Sequence, residues 1–304
     1  MPKGNSLEVG VIGAGTAGLA TAIALARAGH AVTVFEKHGA LAPLGAGILI
    51  QPQGSAALDA LGVGAAFHAA SVPVMRLIGT CHRNWRIVDI DYGQGEARGV
   101  SRAALAQLLL DAALALGVQV RYASPVERVV LHGAQAALVT PLGDRLFDLA
   151  VIADGAASTL PAQVGLAVAS TVYQWGALWA MFDVAEWAGQ ALLEQRYRGT
   201  RQMYGLMPTA RVKNKLRLSM LAPVRGAQLP AVQQGAHALL PGRGWRAVAR
   251  PAVRAGAEAA GHSAADGAQY RCAAQTGEKN SRAGHGGHAR GVTGMPLNSL
   301  IGEW

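Results

Sequence analysis

The chain has 304 residues, 51% of them hydrophobic and 15% charged, which gives room for two domains and excludes disorder throughout. Two cysteines, Cys81 and Cys272, exclude a disulfide framework and fit a reducing compartment, so a cytoplasmic protein is expected. The net charge is +9, but nine Lys and Arg against four Asp and Glu lie between Arg225 and Trp304, so +5 of it belongs to the C-terminal stretch and no nucleic-acid-binding face is expected.

Residues 7–12 read as a buried strand, 13–18 as a turn, and 16–28 as an Ala/Leu-rich helix ended by Gly29. Residues 31–36 form a second short, β-branched strand, as a parallel strand covered on both faces should be. Gly10, Gly13, Gly15 and Gly18 interrupt the apolar run over 9–28 and Arg27 closes it, which argues against a signal or membrane-spanning segment. No other run reaches the ~20 apolar residues needed to span a bilayer, so no membrane partner is expected.

Residues 45–63 read as a Gly-rich loop and a helix stopped by Gly62. Residues 72–92 alternate as strands, with Trp85, Ile87, Val88 and Ile90 as candidate core. Ser101 is a plausible N-cap for a helix over 102–116, whose apolar positions include Leu105, Leu108, Leu109, Ala112 and Leu116. Residues 118–122 and 126–131 are strand-like, 136–147 read as a hairpin around Gly143-Asp144, and 149–152 form a buried strand that runs into Ala153-Asp154-Gly155. Residues 171–224 are strand-rich and aromatic (Tyr173, Trp175, Trp179, Phe182, Trp187, Tyr197, Tyr204) and read as a second sheet. Sheet core is the commoner role for such residues; a pocket lining is the sharper one.

Between Gly242 and Gly294 there are eleven glycines and only three of Val, Ile, Leu or Met, without a 2.0 or 3.6 period. Such a stretch cannot offset the ~1–2 kcal/mol per residue of backbone ordering, so an irregular tail is expected over 225–304. His262, His285, His288 and Cys272 match no common zinc spacing, and no metal site is expected. No Ser/His/Asp or Cys/His arrangement has a recognisable spacing, so no catalytic side chain is named.

The sharpest chemical signal is Gly13-Ala14-Gly15-Thr16-Ala17-Gly18 between a strand and a helix. The first glycine makes the tight turn, the second lets backbone approach a pyrophosphate, and the third lets helix and strand pack closely. The helix N-terminus then offers unpaired N–H groups and a partial positive charge to an anion. Glu36 ends the second strand 18 residues after Gly18, where a carboxylate accepts from ribose hydroxyls and repels a 2′-phosphate. FAD and NAD share this ADP recognition.

Four stretches together resemble the FAD-dependent aromatic-ring hydroxylases, the p-hydroxybenzoate and salicylate hydroxylase-like flavin monooxygenases. They are residues 9–19 with Val34-Phe35-Glu36-Lys37; residues 45–62; Ser101-Arg102 with the apolar residues after it; and Ile152-Ala153-Asp154-Gly155 with Ser158. Tyr204-Gly205-Leu206-Met207-Pro208 also looks like that family's substrate-domain strand ending beside the flavin. The resemblance covers roughly residues 7–225. It implies that Gly13, Gly15, Thr16, Ala17 and Gly18 hold the FAD diphosphate, Glu36 and Lys37 the adenosine end, and Arg102, Asp154 and Gly155 the diphosphate and middle of the cofactor. It also implies NADH or NADPH as co-substrate, O2 as oxidant, and hydroxylation of a small aromatic substrate. Where the family has Gly before Ala-Asp-Gly and Arg three residues after the Ser, this chain has Ile152 and Pro161. The family's later Gly-Asp motif has no counterpart, since Gly143-Asp144 falls in a hairpin. A C-terminally truncated or frameshifted member is therefore expected. Another FAD oxidoreductase, or an inactive product that binds nucleotide weakly, stays open.

The expected fold is α/β. A Rossmann-like, mostly parallel FAD-binding sheet with helices on both faces comes from residues 1–72 and 98–165. A smaller, mostly antiparallel substrate sheet comes from 73–97 and 166–224.

Overall fold

The computed structural model describes residues 6–41, 46–93, 97–166, 170–172, 175–185, 187, 191–199, 202–213, 215–225 and 253–255. In chain order its elements begin with β1 (Glu8–Ile12), α1 (Thr16–Arg27), β2 (Ala31–Phe35), β3 (Gly47–Ile50), α2 (Pro52–Ala60), α3 (Gly64–Ala70) and β4 (Val72–Val74). Next come β5 (Arg76–Cys81), β6 (Arg86–Asp91), β7 (Ala97–Ser101), α4 (Arg102–Ala115), β8 (Gln119–Arg121), β9 (Arg128–His132), β10 (Gln135–Thr140), β11 (Gly143–Phe147), β12 (Leu149–Ile152) and α5 (Leu160–Gln163). The last are β13 (Ser170–Val172), β14 (Trp175–Val184), β15 (Leu192–Arg198), β16 (Gln202–Val212), β17 (Lys215–Arg225) and β18 (Val253–Ala255).

A four-stranded parallel sheet in the order β12-β1-β2-β8 forms the base. Its β1 is apolar at four of five positions and buried there, as a strand covered on both faces must be. One face is covered by helices: Leu19 and Ile23 of α1 and Leu105, Leu109 and Ala113 of α4 pack with Val9, Val11, Val32 and Val34. Fully burying each large aliphatic side chain of that layer is worth roughly 1.5–3 kcal/mol. Ser101 caps α4 through its Oγ, which accepts from Ala104 N–H at 3.1 Å, as the sequence predicts. The α4 stripe is rotated from the expected one: Leu110 and Ala113 are buried and Leu116 is 45% exposed.

The other face departs from expectation. Instead of long helices it carries the antiparallel meander β11-β10-β9, with Leu160 of the one-turn α5 buried beside it. Leu138 and Phe147 of the meander are buried with Ile12 and Phe35, and the two phenyl rings meet edge to face at 5.7 Å. Gly10 makes this approach possible, since a Cβ there would lie 2.7 Å from Leu138 Cδ1 and 2.8 Å from Phe147 Cδ2. At the meander's edge the Gln163 amide lies along β9, accepting from Val129 N–H at 3.3 Å and donating to the Glu127 carbonyl at 3.2 Å.

A six-stranded sheet runs β14-β17-β16-β15-β5-β6, all antiparallel except for the β15–β5 pair. Pro208 sits in β16, an interior strand, and the register shifts between Pro208 and Ala210, the bulge that a residue without an N–H requires. Trp187, Leu206, Leu216 and Leu218 form its core with Val72, and Phe182 and Tyr204 pack against them. The core role expected for Trp85, Ile87 and Ile90 does not hold. They are 44%, 45% and 45% exposed, because β6 is the sheet's outermost strand.

A third, three-stranded antiparallel sheet, β3-β7-β4, lies against β16. Its β3 falls in the stretch read from sequence as a loop. A Cβ on Gly99 would run into the Pro208 carbonyl, and one on Gly47 into Thr209. Within the stretch expected to be irregular, Val253–Ala255 pairs antiparallel with β13; Arg225 ends β17, and the remainder lies outside the described residues.

Candidate functional site

The C-terminal ends of β1, β2 and β12 bring three of the predicted segments together. Gly13 leaves β1 with φ 103°, and its N–H donates to the Phe35 carbonyl at 2.8 Å. A Cβ on Gly13 would come within 2.5 Å of the Ala153 carbonyl oxygen and 2.9 Å of Asp154 Cα, so the β12 segment rests on the turn. A Cβ on Gly18 would run into the Gly13 carbonyl, which is the close helix–strand contact that the third glycine allows.

Gly15 differs from both. It is the N-cap of α1, with no side-chain cap and no acidic residue in the first turn, and a Cβ there would meet nothing within 4 Å. The first N–H groups of α1, those of Thr16 and Ala17 included, therefore face open space with the positive end of the helix dipole behind them.

Glu36 is placed beside this opening by two backbone bonds. One carboxylate oxygen accepts from Ala14 N–H and the other from His38 N–H, both at 2.9 Å. Each oxygen keeps a lone pair for a hydroxyl donor. Lys37 is exposed next to it. Tyr122, which the sequence reading missed, belongs to the same corner: burial pushes its phenol pKa up, and the Glu36 charge adds to that. Only the return of the chain through β8, which pairs with β2, brings Tyr122 there.

Asp154 follows β12, and Gly155 turns the chain with φ 98°. The Asp154 Oδ1 atom is buried without a hydrogen-bond partner. A buried carboxylate oxygen left unpaired costs roughly 1–3 kcal/mol or more, so it marks a place for a donor. Arg102 opens α4 and is exposed; its N–H donates to the Ala46 carbonyl at 3.4 Å. It thus begins the helix that packs beside α1. An open glycine cradle, a placed carboxylate and an orphaned acceptor fit a nucleotide diphosphate with ribose at one end.

Of the aromatic residues, Trp187, Phe182 and Tyr204 serve as sheet core, and burial raises the Tyr204 phenol pKa. Tyr173 and the Trp175 side chain lie outside the described residues, as do His262, His285, His288 and Cys272. Among the described residues no His, Cys, Asp and Glu group could hold a metal ion, and no helix is long and apolar enough to cross a membrane. An open groove lined by Arg128, Val129, Val130, Leu131, Gln163 and Val164 shares none of the site residues.

A family model described as "FAD binding domain" matches residues 6–234. Among curated proteins, an FAD-dependent monooxygenase (atnJ) of Arthrinium sp is 32% identical over 170 residues, 52% of this chain and 38% of that protein. The 3-hydroxybenzoate 6-hydroxylase 1 of Aquipseudomonas alcaligenes is 43% identical over 68 residues, 22% of this chain and 17% of that protein. The matched part of the chain thus spans well under half the length of these relatives. Among solved structures, 2-methyl-3-hydroxypyridine-5-carboxylic acid oxygenase superposes with a TM-score of 0.64 at 24% identity, covering 77% of this chain and 65% of that one. The p-nitrophenol 4-monooxygenase of Pseudomonas putida DLL-E4 superposes with a TM-score of 0.64 at 18% identity, covering 82% and 68%. These likenesses establish the fold.

Proposed function

This chain belongs to the FAD binding domain family, and from that premise we propose that it works as an FAD-dependent monooxygenase hydroxylating a small aromatic substrate. The observation that carries the reading is the uncapped, unobstructed N-terminus of α1 at Gly15, flanked by the Glu36 carboxylate and the orphaned Asp154 oxygen. The co-substrates are NADH or NADPH and O2. The likeness to a 3-hydroxybenzoate hydroxylase supports a ring bearing an oxygen substituent as the substrate class.

When bound, FAD supplies the redox chemistry, accepting a hydride and activating O2. The chain's own residues bind and orient. Gly13, Gly15 and Gly18 shape the turn so that the N–H groups of Thr16 and Ala17 meet the diphosphate. Glu36 accepts from the adenosine ribose hydroxyls, Lys37 sets a positive charge beside them, and Tyr122 walls that end. The Arg102 guanidinium offers charge-assisted bonds to phosphate oxygens. Asp154 accepts from a cofactor hydroxyl, with Gly155 turning the chain away. We place residues 1–72 and 98–165 in the FAD-binding domain and residues 73–97 and 166–224 in the substrate domain. The thiol of Cys81, buried and unpaired, supports a reducing, cytoplasmic setting.

The test is a visible absorption spectrum of the purified chain before and after FAD addition, followed by gel filtration. Retained twin flavin bands, together with oxygen-dependent NADH or NADPH consumption that rises with phenolic substrates, are expected. A chain that releases all flavin on the column sinks the reading.

A further inference from the structure

A hydrogen bond ties the six-stranded sheet to the segment leading to Arg102. Gly47 N–H donates to Ser219 Oγ at 2.9 Å, linking β3 to β17 across the sheet junction. Ser219 is 4% exposed, and a Cβ on Gly47 would lie 2.9 Å from Ser219 Cβ, so the two backbones meet at contact distance. One residue earlier, the Ala46 carbonyl accepts from Arg102 N–H at 3.4 Å. Gly47 itself stands in register with Ser101, whose hydroxyl caps α4. The path from Ser219 to Arg102 therefore crosses only Gly47, Ala46 and Ser101.

We propose that Ser219 is a positioning residue for the cofactor: its hydroxyl fixes the start of β3 and, through Ala46 and Ser101, the place of Arg102 at the head of α4. The inference rests on the reading of Arg102 as an FAD contact. Without the Ser219 hydroxyl, the partly buried Gly47 N–H loses its acceptor, and β3 shifts to find another. Ala46 and Arg102 move with it. The glycine turn and Glu36, held by bonds of their own, stay where they are.

Thr209 provides the comparison. It is fully buried beside Gly47, but its hydroxyl donates to the Arg217 carbonyl at 3.2 Å, inside its own sheet. The experiment titrates FAD and ADP into the full chain, Ser219→Ala and Thr209→Val, following fluorescence. ADP meets the glycine turn and Glu36 and shares its diphosphate with FAD, but it lacks the ribityl middle of the cofactor that Arg102 also serves. Ser219→Ala is expected to weaken FAD binding about five- to tenfold and ADP binding less, about two- to threefold, and Thr209→Val to leave both within about twofold. Equal losses for FAD and ADP, no loss for either, or the same loss in Thr209→Val overturns the proposal. Amide exchange in the unmodified chain gives a check that needs no variant: a slowly exchanging Gly47 N–H is expected, and an unprotected one overturns it. If the unmodified chain binds ADP but not FAD, the reading of Arg102 fails and takes this inference with it. If it binds neither, the nucleotide site itself fails.

Discussion

The glycine turn after β1 and the junction between β3, β7 and β16 both depend on glycine, for opposite reasons. At Gly18, Gly47 and Gly99 an added Cβ would run into protein atoms; at Gly15 it would meet nothing within 4 Å. The junction glycines are filled by the chain itself and hold two sheets together. The space at Gly15 is left free at a helix N-terminus, and no packing argument accounts for it. Glycines of the same motif are thus separable into those where a Cβ would collide with the fold and one, Gly15, where it would meet nothing.

The largest expected effect breaks that comparison on the packing side. Gly99→Ala forces a methyl group against the Pro208 carbonyl and should cost roughly 1–3 kcal/mol or more, read as a lower urea midpoint at unchanged m-value. Gly15→Ala should behave in the reverse way: stability changes by less than about 1 kcal/mol, while FAD affinity falls about tenfold or more in a fluorescence titration. Equal destabilisation by the two variants would erase the distinction. Asp154→Ala sharpens it with opposite signs, since removing the unpaired oxygen should leave the ligand-free chain unchanged or up to about 1 kcal/mol more stable but weaken FAD binding. Melting curves with and without FAD should therefore cross in order.

The smallest effect lies far from both regions. Arg217 holds the Asp183 carboxyl below its ordinary range through bonds of 2.7 and 2.9 Å. A depressed folded-state pKa stabilises above the unfolded value of about 3.9 and is lost as the pH falls through the lower folded value. Because the pair is exposed, Asp183→Asn should cost at most about 0.5 kcal/mol at neutral pH and nothing at strongly acidic pH, as successive urea titrations would reveal.

What the sequence discloses is what is local. The β1–α1–β2 unit, the Ser101 cap and the β10–β11 hairpin are each written within a dozen or two residues, in glycines, capping oxygens and apolar period. The layer over the second sheet face is not: Gly10 makes room for Leu138 and Phe147, and nothing near Gly10 says so. Trp85, Ile87 and Ile90 show why alternation misleads at an edge, because the pattern marks a strand without saying how many neighbours it has. Within the site, Gly13, Gly15, Gly18 and Glu36 were legible from spacing, and the meeting of Asp154 with the turn follows once β12 pairs with β1. Tyr122 and Ser219 reach the site region through tertiary return of the chain, which leaves no local signature.

The Gln163 amide on β9 has a consequence for how molecules of this protein meet. Among the described residues β9 ends its sheet, and an edge strand is the kind of surface that templates pairing with a strand from another chain. Gln163 presents one donor and one acceptor to that edge, to Glu127 and Val129, as a single residue of a parallel neighbouring strand would. With those two groups engaged, an incoming strand finds the ladder already closed at its first rung. One side chain thereby takes up two backbone groups that a strand docking on this edge would need.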